Sequence, residues 1–395
     1  MEGVNKILFI TQWQYDDALV QTYTLPYINI VKKITNANCY LVTTGKGNND
    51  TKLSERGGIN LIELPDPTKG GRLQWFKNLS ILNRFVKKEQ IPVMHTWCTP
   101  AGAIGAILKM RNSGIKLVLD SVEPHAEAMV ECKIWPKGGI KFRGLFFLEK
   151  LQFKKAEHLI FAATEMDKYV KNKFGLTVSG DVKPACVDLS LFSDKLLKNS
   201  ELLKKLGLDG KIVCVYAGKF GGFYLEDETF QFVKQCEEYW GKDKFRFLAL
   251  SNATDEYMNE KIAKFNIQPE TVVKLFVPYK EVAQYMGLAD FAFSAYKPVP
   301  SKRYGTPIKN GEYWALGLPV VIPPNISDDS AIIEKHNAGA ILRGFSKEDY
   351  MKSISQIDSI TKGKTRDEIY KTIRPLAEQY RNFSIAEQVY KRIYG

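Results

Sequence analysis

KIVCVYAGKF (211–220) decides how the chain is built. This apolar, β-branched run closing on glycine and lysine reads as a buried strand, and it follows a polar, lysine-rich helical stretch that ends at Leu206. Downstream, the same kind of run recurs at FRFLAL (245–250), VVKLF (272–276), ADFAFSA (289–295), LPVVIP (318–323) and AGAIL (338–342). From SKEDYMKSI to Tyr394 the pattern is helical. Upstream, KILFI (6–10), CYLVTT (39–44), INLIEL (59–64), IPVMHTW (91–97), KLVLD (116–120) and HLIFAA (158–163) alternate with amphipathic stretches such as Leu19–Lys33 and Leu73–Lys88. Such alternation predicts parallel βαβ units. The restart at residue 211 predicts two doubly wound α/β domains. A length of 395 residues agrees, and two such units are expected to hold a ligand cleft between them.

Composition narrows the function classes. With 45% hydrophobic and 25% charged residues the chain is an ordinary globular one. Its net charge of +12 asks for an anionic partner: nucleic acid, an acidic membrane surface or a phosphorylated substrate. No helix-turn-helix, zinc-finger or aromatic RNA-binding signature appears, which argues against nucleic acid. MEGVNK runs straight into the apolar Ile7–Ile10, leaving no room for a secretion signal, and AGAIGAIL (101–108) is far short of the ~20 residues that span a bilayer. The six cysteines are dispersed without a CxxC pair and read as reduced thiols of a cytoplasmic protein. Four histidines without an HExxH or Cys/His cluster give a metal site no support, and neither metal nor cofactor is expected.

Two stretches of the second half carry chemistry. In YAGKFGGFY (216–224), Gly218, Gly221 and Gly222 let the backbone approach a ligand at a strand end, and Lys219 can meet a phosphate. The competing reading is a glycine-rich turn with a solvated lysine. In SKRYGTPIKNGEYWALGLPVV (301–321), Thr306 suits an N-cap and Pro307 the first helical position. The helix N-terminus would favour a diphosphate, with Lys302, Arg303 and Lys309 as neighbouring cations. Glu312, an acid in a basic stretch, can accept both hydroxyl hydrogens of a ribose. Its bland alternative is a surface i,i+3 pair with Lys309.

IKNGEYWALGLPVV resembles the donor-site helix of family 4 glycosyltransferases, YAGKFGG their glycine-basic loop, and FVPYKEVAQYMGLADFAFSAY (276–296) their base-side loop, helix and strand. KPACVDLSLF resembles the inter-domain linker. The resemblance implies a GT-B fold: two Rossmann-like domains facing each other across a cleft, residues 1–190 on the acceptor side and 191–376 on the donor side, with a helix in 377–395 returning to the first domain. It further implies that Glu312 holds the donor ribose, that Lys219 faces the diphosphate as a catalytic charge, and that Val277 and Pro278 border the base. Gly218, Arg303, Tyr304, Thr306, Ile308 and Lys309 complete the donor-binding set. Two positions depart from the family pattern: Tyr304 stands eight residues before Glu312, where a second glutamate is usual, and Tyr224 stands five after Lys219, where a lysine is usual. Lys302 or Arg303 would replace the missing charge.

In the first half, QWQYDDALVQTYTLPYI (12–28) resembles the family's first loop and helix, without its paired glycines. Asp16, Asp17 and Gln21 could bond sugar hydroxyls or simply start a helix. LVLDSVEPHAEAMVE (117–131) places Glu123 and His125 just past a strand end, where this architecture collects chemistry. The family often has an active-site histidine there, so His125 is the catalytic candidate and Asp17, Gln21 and Glu123 the acceptor-side candidates; a capping loop with an exposed histidine is the alternative. His95 reads as a satisfied core residue. Between Lys133 and Lys155 seven basic residues face one acid, with Trp135, Phe142, Phe146, Phe147 and Phe153 interleaved. Residues 133–155 thus suit an anionic membrane surface, unless the phenylalanines face the core.

The resemblance implies a retaining, metal-independent glycosyltransferase that moves a sugar from a nucleoside diphosphate donor to a glycan or polyprenyl-linked acceptor in surface polysaccharide synthesis. It would be cytoplasmic or peripheral at the inner face of the cell membrane. The alternatives are a degenerate noncatalytic subunit, a nucleotide-sugar epimerase on the same fold, and a nucleic-acid-binding protein.

Overall fold

The structure is a computed structural model; it describes the whole chain except Glu2, Lys46 and Asn48, and the backbone alone of Thr68, Lys69, Gly70, Arg72, Ser121 and Val122. The chain divides into two compact units. The first comprises Met1–Val130, Trp135–Pro184 and Phe383–Gly395, and the second Glu131–Ile134 and Ala185–Asn382. The sequence had suggested divisions after residues 190 and 376.

The first unit is built on an eight-stranded sheet of β1 (Lys6–Ile10), β2 (Asn38–Thr44), β3 (Lys52–Arg56), β4 (Ile59–Leu64), β5 (Val93–Trp97), β6 (Lys116–Val122), β7 (His158–Phe161) and β8 (Asp181–Val182), in the order β3-β4-β2-β1-β5-β6-β7-β8. All neighbours are parallel except β3, which runs antiparallel to β4. Of the central strands, β5 is buried from end to end and β1 at every residue but Lys6, as helices on both faces of a parallel sheet require. Gly102 and Gly105 let the helix Cys98–Arg111 approach closely: a Cβ at Gly105 would lie 2.8 Å from side-chain atoms of Leu117 and Thr96. The first helix begins as a π-helical turn, Val20–Thr24, before the α-helix Leu25–Thr35. Pro26 has no N–H to return to the preceding turn, and the ladder shifts around it.

The second unit holds a six-stranded parallel sheet of β9 (Ile212–Ala217), β10 (Phe245–Leu250), β11 (Val272–Leu275), β12 (Phe291–Phe293), β13 (Val320–Ile322) and β14 (Gly339–Ile341), in the order β11-β10-β9-β12-β13-β14. The strand order reverses between β9 and β12 here, and between β1 and β5 in the first unit. Ligands of open α/β sheets bind beyond the carboxyl ends of strands at such points. The last helix, Phe383–Tyr394, is part of the first unit and packs on Leu25–Thr35 through Tyr27, whose ring meets those of Phe383 and Tyr390.

Candidate functional site

In the second unit the loop after β9 and the stretch after β12 converge. Gly221 and Gly222 have φ of 77° and 61°, the left-handed region that glycine enters without penalty. Leu225 N–H donates to the Ala295 carbonyl at 2.6 Å and Lys297 N–H to that of Phe223 at 3.1 Å; the rings of Tyr224 and Tyr296 meet edge to face at 4.9 Å. The loop carrying Gly218 and the exposed Lys219 is thereby tied to the segment that leads, through the 3₁₀ turn Pro300–Tyr304, into the helix Ile308–Ala315. That helix is seated under β9, where Ala217 N–H donates to the Tyr313 hydroxyl at 3.0 Å.

Glu312 is 1% exposed. One carboxylate oxygen accepts from Lys309 Nζ at 2.6 Å and the other from the Tyr279 hydroxyl at 3.4 Å, so the i,i+3 pair with Lys309 is present. A carboxylate this buried has to be held by donors. Tyr279 opens the helix Tyr279–Met286, which follows Val277 and Pro278; Phe276 beside them is 74% exposed, an aromatic face that the sequence reading did not single out.

Thr306 does not cap the helix. Its hydroxyl accepts the Ala185 N–H at 2.9 Å and an Arg381 N–H at 2.6 Å, and Pro307 occupies the N-cap without a side-chain bond. The expectation of a threonine cap is corrected: Arg381, 1% exposed, claims that hydroxyl and also pairs with Asp329, which in turn accepts from Asn310 at 2.7 Å. Burial raises the Asp329 carboxyl above its ordinary range despite Arg381 and Asn310. Of the other expected cations, Arg303 pairs with Asp328 at 2.8 Å, and the Lys302 ammonium lies 4.1 Å over the Phe223 ring in a side chain only 5% exposed. Tyr304 and Ile308 are half-buried on the same turn and helix start.

In the first unit, His125 opens the helix His125–Glu131 just past β6, with Nδ1 3.9 Å from Glu123 Oε1 and both side chains about one-quarter exposed (22% and 26%). The Ala126 N–H donates to the buried Glu149 carboxylate at 2.9 Å. Burial, with Glu127 and Glu123 nearby, pushes that carboxyl up to about 8 against the pull of the backbone donors. Asp17 accepts the Leu19 N–H at 2.8 Å and Gln21 donates to the Tyr15 carbonyl at 2.6 Å, so both serve the local turn. His95 is fully buried between the Tyr394 hydroxyl (2.7 Å) and Asp120 (3.1 Å). Asp120 also accepts from the Tyr390 hydroxyl at 2.7 Å and pairs with the buried Lys183 at 3.2 Å, whose ammonium sits 3.8 Å from the Tyr27 ring centroid. Burial raises the Asp120 carboxyl, but Lys183, His95 and Tyr390 together hold it well below the usual range; burial depresses His95, which stays neutral.

The phenylalanines of the basic segment divide. Phe142 stacks on Phe146, and Phe146 and Phe153 pack on Phe174, while Ile140 and Phe147 are 80% and 65% exposed on the same helix, Ile140–Lys155. Among the described residues no helix is long and apolar enough to cross a membrane, and no group of three or more His, Cys, Asp or Glu is placed to hold a metal ion.

No protein-family profile matches the chain, and no curated protein sequence does. Solved structures do. Sucrose-phosphate synthase from Thermosynechococcus elongatus superposes with a TM-score of 0.75 at 13% identity, over 98% of this chain and 99% of that one. HepE from Anabaena, in complex with UDP, gives 0.71 at 13% identity over 98% and 99%. WaaG, a glycosyltransferase involved in lipopolysaccharide biosynthesis, gives 0.72 at 14% identity over 98% and 100%. The chain therefore has the fold of GT-B glycosyltransferase structures, an α/β architecture with two parallel-sheet units.

Proposed function

We propose that this protein is a retaining glycosyltransferase that uses a nucleoside diphosphate sugar and needs no metal ion. The observation that carries the reading is the convergence, at the switch point of the second sheet, of the glycine loop 218–222 with the helix Ile308–Ala315 and its buried Glu312. Glu312 takes the ribose hydroxyls, Val277, Pro278 and the exposed Phe276 border the base, and Lys219 with the helix N-terminus stabilises the departing diphosphate. Each charge-assisted hydrogen bond there is worth on the order of 1.5–3 kcal/mol. On the acceptor side His125, with Glu123 beside it, is the candidate to handle the acceptor hydroxyl. The UDP complex of HepE and the lipopolysaccharide role of WaaG support a nucleotide-sugar donor and a glycan or lipid-linked acceptor. Ile140 and Phe147, set among lysines and an arginine, suit an anionic membrane that presents such an acceptor.

A second reading, a noncatalytic subunit that binds the donor only, is favoured by Tyr224 being packed edge to face on Tyr296 and by Arg303 being paired with Asp328. Release of nucleoside diphosphate from UDP-, GDP- and ADP-sugars in EDTA, with and without oligosaccharide or polyprenyl acceptors, separates the two. Turnover that Lys219→Ala slows about tenfold or more supports catalysis; nucleotide binding with no turnover on any donor supports the noncatalytic subunit.

A further inference from the structure

The edge strand β3 gives nothing to the core. All five of its residues are exposed. It is nevertheless held in full register on β4, from Lys52 opposite Glu63 to Arg56 opposite Ile59. The connecting Gly57–Gly58 turn has positive φ at both residues, and the Lys32 ammonium donates to the Gly58 carbonyl at 2.6 Å. Lys52, Ser54 and Arg56 share one face of β3, and they line a cleft of about 620 Å³ together with Tyr15 and Asp16, from the loop after β1, and Glu63 of β4. The Arg56 guanidinium lies 4.7 Å over the Tyr15 ring and 3.6 Å from Asp16, so its donors are already oriented.

The lining selects a chemical class. Two cations are balanced by two carboxylates, so an anion gains no net field, and an apolar ligand would leave donors and acceptors unpaired. A neutral polyol satisfies both signs: carboxylates accept from hydroxyl pairs while the guanidinium, ammonium and Ser54 hydroxyl bond hydroxyl and ring oxygens. The volume falls in the range of small-molecule sites. We infer that this cleft binds neutral carbohydrate, a part of the acceptor glycan remote from the sugar that reacts. The inference rests on the glycosyltransferase reading for what the carbohydrate is, and on the cleft alone for its being carbohydrate.

The test is calorimetry with short neutral gluco-, galacto- and manno-oligosaccharides, with uronic-acid oligosaccharides alongside, on wild type, Arg56→Ala, Asp16→Asn and the cleft-filling Ser54→Trp. Neutral oligosaccharide binding is expected, weakened about tenfold or more in each variant; melting temperatures stay at the wild-type value because all three positions are exposed. No neutral oligosaccharide binding, binding that the variants leave unchanged, or preference for the uronic acids overturns the inference. UDP, GDP and ADP titrated into the same samples separate the two readings. Nucleotide binding without carbohydrate binding removes the cleft and leaves the donor site, and cleft-dependent carbohydrate binding without nucleotide binding does the reverse.

Discussion

Lys183→Met tests how the first unit is held together, and its sign with pH is as informative as its size. Lys183 and Asp120 are both fully buried and 3.2 Å apart; with an effective dielectric of about 20 their attraction is roughly 5 kcal/mol. Removing one partner of such a pair costs about 3–5 kcal/mol, because the carboxylate remains. His95 touches the same carboxylate at 3.1 Å and offers a replacement. In the wild type its pKa is lowered by burial and by Lys183, so the stability it contributes is present above its unfolded value of 6.5 and lost as pH falls below it. Without Lys183, Asp120 pulls a proton onto His95 and raises its pKa. Stability from that group is then present below 6.5 and lost as pH rises through the folded value. Guanidinium denaturation at pH 5.5, 7 and 8.5 reads both effects: wild type loses stability toward pH 5.5, and Lys183→Met, weaker at pH 8.5, gains it. A loss under about 1 kcal/mol, or slopes of the same sign in both proteins, refutes the reasoning.

Further outcomes follow from other buried groups. Glu149, with its carboxyl pushed up to about 8, stays protonated in the fold while the unfolded chain ionises above about 4.5; its contribution is complete below that value and lost as pH rises through 8, at roughly 1.4 kcal/mol per unit. Glu149→Gln should therefore gain on the wild type in thermal melts as pH goes from 5 to 9. Gly317 has a φ of 65°, and a Cβ there would lie 2.4 Å from the Tyr370 Cα, so Gly317→Ala should cost about 2–4 kcal/mol in denaturant titrations. Ile140→Ser with Phe147→Ser should weaken flotation with phosphatidylglycerol vesicles by about a hundredfold or more, since each buried apolar side chain contributes about 1.5–3 kcal/mol.

The two-sheet α/β fold was legible in the sequence because its strands are buried on both faces and read as continuous apolar runs; KIVCVYAGKF shows this for β9. β3 was not, since KLSER has neither an apolar run nor a buried alternating face, and β8 has only two residues. Leu19–Lys33 was read as one amphipathic stretch, and the π-helical turn Val20–Thr24 that precedes Pro26 was not foreseen. Around the candidate site, the residue types that bind phosphate and ribose could be named from motif spacing, but their partners could not. Arg381 and the Ala185 N–H reach Thr306 from 75 and 121 residues away, and these contacts displace the local capping that sequence proximity suggests. His95 was read as a core residue; Tyr394 and Asp120, which bond its two ring nitrogens, carry no sequence signal because they lie in different elements, 299 and 25 residues away along the chain.

The central claim is that Glu312 and the glycine loop form a nucleoside diphosphate site, and calorimetric titration with UDP, GDP and ADP, with and without magnesium, tests it most directly. The account predicts that one nucleotide binds equally well in either condition and that Glu312→Ala weakens it by about tenfold or more. Binding of no nucleotide, or binding that Glu312→Ala leaves unchanged, would contradict it.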